Sequence, residues 1–271
     1  MTPLAITSLQ NPRIKQLVAL RDRRAREEAG ATLVEGYEEL SLALSAGTPR
    51  ALYYCPALLR DPAQNDLLRR VQQMNGVEVV EVNERAFEKI AYRDHPDGWL
   101  AVFPLPQRGL ADLRLGANPL LIVAEGLEKP GNLGAILRTA DAAGVDALIS
   151  CDPVTDLGNP NVVRSSKGTL FSVPVAEASS AETIEWLRAH GIRIVAATPQ
   201  ANLIYADADL SGPIAIAVGA EKPGLSDKWL AQADVRVQIP MVGRVNSLNV
   251  SIATALLVYE AFKQRHAHSH P

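Results

Sequence analysis

Apolar runs that stop at a cluster of Gly, Pro, Asn or Ser, and then pass into a helix pattern, constrain this chain more than any other feature. Three such junctions stand out. They are Lys129-Pro130-Gly131-Asn132-Leu133-Gly134-Ala135-Ile136-Leu137-Arg138, Val218-Gly219-Ala220-Glu221-Lys222-Pro223-Gly224-Leu225-Ser226, and Ile239-Pro240-Met241-Val242-Gly243-Arg244-Val245-Asn246-Ser247-Leu248-Asn249-Val250-Ser251. A strand that ends in a Gly-rich loop and feeds a helix is where open α/β sheets build their ligand sites. Three such loops in one domain, all carrying polar or charged groups, outline one composite site.

The surrounding pattern repeats the same alternation. Leu120–Ala124 is a continuous apolar run, which reads as a strand buried on both faces. Gly131–Gly134 reads as its loop and Ala135–Ala143 as the helix, closed by Gly144. Strands are expected at 147–150, 192–197, 214–218 and 235–239, and helices at 182–189, 228–233 and from 250 to about 264. That order implies a parallel sheet with helices on both faces. Residues 1–103 read as a smaller α/β sandwich. Asn11-Pro12 opens a basic helix carrying Arg13, Lys15, Arg21, Arg23, Arg24 and Arg26, and short strands fall at 33–36, 51–55, 77–82 and 99–103. Pro104, Pro106, Gly109 and Gly116 place a linker at 104–117, so residues 118–271 form the second domain.

Composition excludes several classes. A formal net charge of -3 does not announce a nucleic-acid binder, so any RNA contact must be local. Only Cys55 and Cys151 are present, which rules out a disulfide framework and suits a reducing cytoplasm. No signal-peptide pattern and no bilayer-length apolar run occur, so no membrane is expected. No His, Cys and carboxylate cluster has metal spacing, and no Gly-x-Gly-x-x-Gly, P-loop or Gly-x-Ser-x-Gly pattern is found. The tail from His266 to Pro271 reads either as a metal-binding run or as an unordered terminus.

Each loop has a sharp and a bland reading. Gly131 and Gly134 let backbone approach a ligand, the following helix start favours an anion, and Arg138 is placed one turn into that helix to reach over the loop. The bland reading makes Arg138 a surface salt-bridge residue. Glu221 lies at the carboxyl end of a strand, where open sheets place their chemistry, or is simply an exposed loop residue. Asn246, Ser247, Asn249 and Ser251 precede or open a helix that is apolar nearly all round, hence buried or at an interface. One of them would serve as a cap, which leaves the others unexplained. The arginine stripe of the N-terminal helix is either a phosphate-contact surface or a solvated face offset by Glu27 and Glu28.

Taken together, these three stretches resemble the SpoU (TrmH) family of RNA ribose 2'-O-methyltransferases, within the SPOUT class. Gly131-Asn132-Leu133-Gly134 with Arg138, Gly219-Ala220-Glu221 with Gly224-Leu225-Ser226, and Ile239 to Gly243 with Ser247 to Ser251 are similar to its three motifs. Arg164-Ser165-Ser166-Lys167-Gly168, with Phe171 and Pro174, also resembles the family. Leu33-Val34-Glu35-Gly36 and His95-Pro96-Asp97-Gly98 are similar to its N-terminal RNA-binding domain. The resemblance implies a trefoil knot in the C-terminal sheet and a ribosomal-protein-like fold in the N-terminal domain. It implies S-adenosylmethionine near Thr198, Gly219, Ile239 and Leu248, and no metal. It implies Arg138 as the group acting on the ribose hydroxyl or the RNA phosphate, Glu221, Ser247 and Asn249 orienting it or the ribose, and Asn132 holding the first loop. It also implies a homodimer through the last helix and the first-motif helix. The expected activity is methyl transfer to structured RNA, ribosomal RNA first. The alternatives are a transfer RNA methyltransferase and a non-catalytic RNA-binding protein of the same fold.

Overall fold

Residues 4–59, 61–62, 64–106 and 109–266 are described by the computed structural model; the end of the histidine-containing tail, 267–271, lies outside them. The elements run β1 (Leu4–Ile6), α1 (Pro12–Ala19), α2 (Arg23–Ala29), β2 (Ala31–Glu35), α3 (Tyr37–Ala46), β3 (Ala51–Tyr54), α4 (Gln64–Gln72), β4 (Glu78–Val82), α5 (Glu84–Ile90) and β5 (Trp99–Pro104). They continue as β6 (Leu120–Glu125), α6 (Pro130–Ala142), β7 (Ala147–Cys151), α7 (Pro160–Ser165), α8 (Thr169–Ser172), β8 (Val175–Ala178), α9 (Ser180–Ala189) and β9 (Arg193–Ala197). The last are β10 (Leu203–Ile204), β11 (Ile214–Val218), α10 (Asp227–Gln232), β12 (Val235–Gln238) and α11 (Val250–His266). The chain forms two compact units, Met1–Pro106 with Asp156–Ser172, and Gln107–Thr155 with Val173–Pro271. The segment Asp156–Ser172, which the sequence reading placed in the second domain, is thus packed within the first unit.

In the first unit five strands run β1-β4-β3-β5-β2, with β5 antiparallel to both neighbours. Alternate residues of the strands, among them Ile6, Leu33, Tyr53, Val80 and Leu100, pack with Ile14 and Leu17 of α1 and Phe87 and Ile90 of α5. The basic stretch forms two helices rather than the expected one. Asn11 caps α1 by accepting from the Arg13 amide at 2.9 Å, and Asp22 starts α2 by accepting from the Arg24 amide at 2.9 Å. The motifs around Glu35 and Asp97 meet. The Glu35 carboxylate accepts from the Tyr92 and Arg93 amides at 2.6 and 3.2 Å, and Asp97 accepts from the Tyr37 amide at 2.8 Å at the start of α3. Burial pushes the Glu35 pKa up and the two amides partly offset it.

Arg26 corrects the reading of the basic stripe. Only 1 % of it is exposed. Its guanidinium forks onto Asp156 at 3.2 and 2.7 Å and donates to the Leu20 and Arg21 carbonyls at 3.0 and 2.8 Å. It fastens the inserted segment to the turn between α1 and α2, so it is not available to a phosphate.

In the second unit seven strands run β10-β12-β9-β11-β6-β7-β8, and every pairing is parallel. Strand residues point alternately to the two faces. Leu121, Val123, Ile149, Ile194, Ala215 and Ala217 pack with Leu187 of α9 and Trp229 of α10. The intervening Leu120, Ile122, Leu148, Ile214 and Ile216 are equally buried and point to the side of α6 and α11. At its far end α11 is tied down by Arg265, which donates to the carbonyls of Leu210, Asn118 and Pro119 at 3.2, 2.9 and 3.2 Å, and to that of Gly212. Gln264 adds bonds to Ala208 and Leu210 at 3.0 and 2.8 Å. No helix among the described residues is long and apolar enough to cross a membrane.

Replacing Arg26 by Ala leaves Asp156, itself largely buried, without its cation, a loss of about 3 kcal/mol or more. Arg24 pairs with Glu28 across one exposed helix turn, so Arg24→Ala costs about 0.5 kcal/mol or less. Urea denaturation of the two variants against the parent checks the ranking.

Candidate active site

Because β12, β9 and β11 are adjacent and parallel, their carboxyl ends lie along one edge and their loops converge there. They wall an open cleft of about 710 Å³. Ala197, Thr198 and Pro199 come from the end of β9, Val218 to Glu221 with Gly224 from the end of β11, and Val237, Ile239 and Met241 from β12 and its exit. Asn246, Ser247 and Leu248 of the third loop, with Val250 and Ala253 of α11, close the remaining side. Thr198, Gly219, Ile239 and Leu248, singled out from sequence, all line this one cleft, as do Glu221 and Ser247.

Gly219 is required where it stands. A Cβ on it would lie 2.1 Å from the Gly224 carbonyl carbon and oxygen and 2.3 Å from the Leu225 nitrogen. The loop doubles back on itself through a bridge between Ala220 and Gly224, and Gly224 takes a positive φ of 69° that favours glycine. Leu225 then buries its side chain against the core behind α10.

Beside the cleft runs a chain of side chains that ties the three loops together. Lys129 and Asn132 both donate to the Glu221 carboxylate, one oxygen each. Asn249 donates to the Asn132 side-chain oxygen at 3.0 Å and its own oxygen accepts from the Ser251 amide and hydroxyl at 3.0 and 2.6 Å. Asn249 is therefore both a cap of α11 and a link to α6, so the bland and sharp readings of that polar group are both met. Lys129 first, and Asn132 second, hold the Glu221 carboxyl below the ordinary glutamate range. Lys129 was not singled out from sequence; its place next to Pro130, where a helix starts, was the available signal.

Arg138 stands apart from this chain. The helix α6 begins at Pro130, because proline at the first position has its φ preset and lacks only an amide that has no partner there. Leu133, Ile136, Leu137 and Ala140 then form its buried stripe. Gly131 to Gly134 are its first turn rather than a loop, so Arg138 lies about two turns along, not one. It is six residues from Asn132, roughly 120° round the axis and about 9 Å along it. Arg138 is exposed and makes no hydrogen bond or ion pair among the described residues. In the first unit Arg21 donates to the Lys89 and Ala91 carbonyls at 3.1 and 2.6 Å, while Arg23 and Arg24 pair with Glu27 and Glu28. No group of three or more His, Cys, Asp or Glu side chains is placed to hold a metal among the described residues.

The family model that describes the SpoU rRNA methylase family matches residues 119–259, which contain all three loops. This chain belongs to the SpoU rRNA methylase family. A second model, the MRM3-like substrate binding domain, matches residues 11–101. A 23S rRNA (uridine(2479)-2'-O)-methyltransferase of Streptomyces viridochromogenes is 34% identical, across 97% of this chain and 94% of its own. The 23S rRNA (guanosine(2553)-2'-O)-methyltransferase RlmP of Bacillus subtilis (strain 168) is 28% identical, across 94% and 97%. The crystal structure of an AdoMet-bound rRNA methyltransferase from Sinorhizobium meliloti superposes with a TM-score of 0.88 at 31% identity, across 98% of each chain. The SpoU family fold, a parallel sheet with helices, is the fold of the second unit here.

Two outcomes test the geometry of this SpoU site. The Glu221 carboxyl titrates below a free glutamate by carbon-detected NMR, and Lys129→Ala moves its midpoint upward. Its link to Lys129 is thus complete above the ordinary carboxylate range and is lost as pH falls through the depressed value. Gly219→Ala forces a side chain into the Gly224 backbone and lowers the melting temperature, whereas Ala at the open position Gly243 does not.

Proposed function

We propose that this protein transfers the methyl group of S-adenosylmethionine to a ribose 2'-hydroxyl of ribosomal RNA. The observation that carries the reading is the cleft built from the three family loops, with the Lys129–Glu221–Asn132–Asn249 chain beside it. The Streptomyces and Bacillus relatives are named for 2'-O-methylation of a uridine and of a guanosine in 23S rRNA. One chemistry on two different bases points to the sugar as the shared acceptor. An enzyme of this kind works in the cytoplasm, where bacterial ribosomes are assembled.

The cleft suits the methyl donor. Ile239, Leu248, Val250 and Ala253 offer apolar surface for a flat purine, while Thr198 and the backbone from Gly219 to Glu221 offer polar groups for the rest. When bound there, S-adenosylmethionine supplies an electrophilic methyl group. The residues of this chain supply position and charge. Glu221, held by Lys129 and Asn132, fixes the second loop against α6. Asn249 fixes the third loop to the same helix. Ser247 lines the cleft with its hydroxyl free to meet the ribose. Arg138 keeps its proton, because a guanidinium is not deprotonated in proteins. It clamps an RNA phosphate and stabilises the hydroxyl oxygen as that oxygen gives up its proton to solvent water. Lys222 and Arg244 are further exposed cations on the second and third loops, with no ion pair among the described residues.

The same reading includes a homodimer and a trefoil knot. Ile252, Leu256 and Tyr259 form one stripe on α11 at spacings of four and three residues, and are 53%, 37% and 47% exposed. A second copy covering that stripe and α6 removes it from water. The knot is supported by the strand order: the chain re-enters between β6 and β9 as β11, crosses to β12 beyond β9, and returns to pack α11 on α6. Residues 1–103 select the RNA through a ribosomal-protein-like fold, and the linker 104–117 leads to the catalytic part of 118–271, of which the segment Asp156–Ser172 packs with the first unit. Of the four arginines Arg21, Arg23, Arg24 and Arg26, the first three are exposed and Arg26 alone is buried.

Ribose-methylation mapping of ribosomal RNA from cells with and without the gene shows one 2'-O-methyl mark lost; an unchanged map refutes the reading. Arg138→Ala lowers turnover by about 100-fold or more while S-adenosylmethionine affinity by calorimetry stays near that of the parent. Leu256→Glu converts the protein to a monomer in sedimentation, through a charge placed in an apolar contact.

A further inference from the structure

Glu125 ends β6 and belongs to none of the three loops. Its carboxylate nevertheless reaches the second one. Oε2 accepts from the Ser226 amide at 2.8 Å, across 101 residues of chain. Ser226 is the N-cap of α10 and makes no side-chain capping bond, so the Glu125 carboxylate serves the free amide there. The loop from Gly219 to Ser226 is then fixed at three places. Val218 holds its start in the sheet, Glu221 holds its middle to Lys129 and Asn132, and Glu125 holds its end. The last two anchors come from one short stretch, β6 and the first turn of α6. That stretch acts as a brace along the whole back of the loop whose front lines the cleft.

The helix α10 has a separate anchor. Trp229 is fully buried and donates its indole N–H to the Ser180 hydroxyl at 2.9 Å. That hydroxyl lies 2.6 Å from Asp152 and 3.3 Å from Glu125 Oε1. Its single hydrogen goes to the nearer acceptor, Asp152, so the bond to the Ser226 amide is the strong tie that Glu125 makes. Removing Glu125 therefore leaves α10 seated by Trp229 and frees only the loop end.

We propose that Glu125 is a positioning residue for the methyl-donor cleft: by holding the Ser226 amide it fixes the Gly219–Ser226 loop in the conformation that binds S-adenosylmethionine. The inference rests on the methyl-donor reading of the cleft. It predicts a loss in binding that is separate from stability. Glu125→Ala weakens S-adenosylmethionine binding by about tenfold, the scale of one hydrogen bond to a charged group. It raises KM for the donor with little change in kcat at saturation, and the melting temperature stays near that of the parent. Glu125→Gln keeps an acceptor oxygen at the same reach and restores most of the affinity. Ser226→Pro removes the same bond from the donor side at a position whose φ of -66° already suits proline. The double variant binds no more weakly than either single one, because both delete one interaction. Parent-like binding by Glu125→Ala overturns the proposal. Should that variant fail to fold, parent-like binding by Ser226→Pro overturns it instead. A parent protein that binds no S-adenosylmethionine overturns both this proposal and the function it rests on.

Discussion

The insertion of β11 between β6 and β9 is the constraint on which the second unit depends. Ile214–Val218 is apolar at every position, so it is stable only where both faces and both edges are covered. It pairs from Ile214↔Leu120 to Val218↔Ala124 on one edge and from Ile214↔Arg193 to Ala217↔Ala196 on the other. That register delivers Gly219 beside the end of β6. From there Glu221 meets Lys129 and Asn132, residues about 90 positions earlier in the chain. A shift of the strand by one residue would turn its side chains to the wrong faces and carry Glu221 off its partners. The hydrophobic register and the polar bridge are therefore one specification, written in five apolar residues.

Charge is deployed locally in this protein. A net charge of -3 would repel RNA at long range if it were spread evenly. Much of the positive charge is already committed to the fold. Arg26 is sealed against Asp156, Arg265 is spread over backbone carbonyls, and Arg21 caps the chain end of α5. Exposed cations with no ion pair among the described residues include Lys15, Arg70, Arg85 and Lys89 in the first unit and Arg138, Lys222 and Arg244 in the second.

Five strands of the second unit were readable from their apolar residues, and Ile214–Val218 has the same bounds in the chain and in the fold, whereas β8, broken by Glu177, and the two-residue β10 were not. The three loops were readable as one site because parallel strands must leave by the same edge. What escaped has physical reasons too. Gly131 and Gly134 look like loop residues, but Pro130 starts the helix before them and the apolar stripe of α6 carries it through. Arg26 looks like its exposed neighbours, because helix position says nothing about a carboxylate 130 residues away. Glu125 is one acidic residue at a strand end, and only the fold shows that its partner is the Ser226 amide.

The helix α11 is fastened at both ends, by Asn249 to Asn132 in front and by Gln264 and Arg265 to the 208–212 segment behind. Everything it fastens to is made before it. A chain emerging from the ribosome has its strands in hand while the fourth wall of the cleft, Asn246 to Ala253, is still to come. Until residue 265 has emerged, that wall has no rear tether. A chain that stops short of residue 264 therefore lacks the tether that holds this wall from behind.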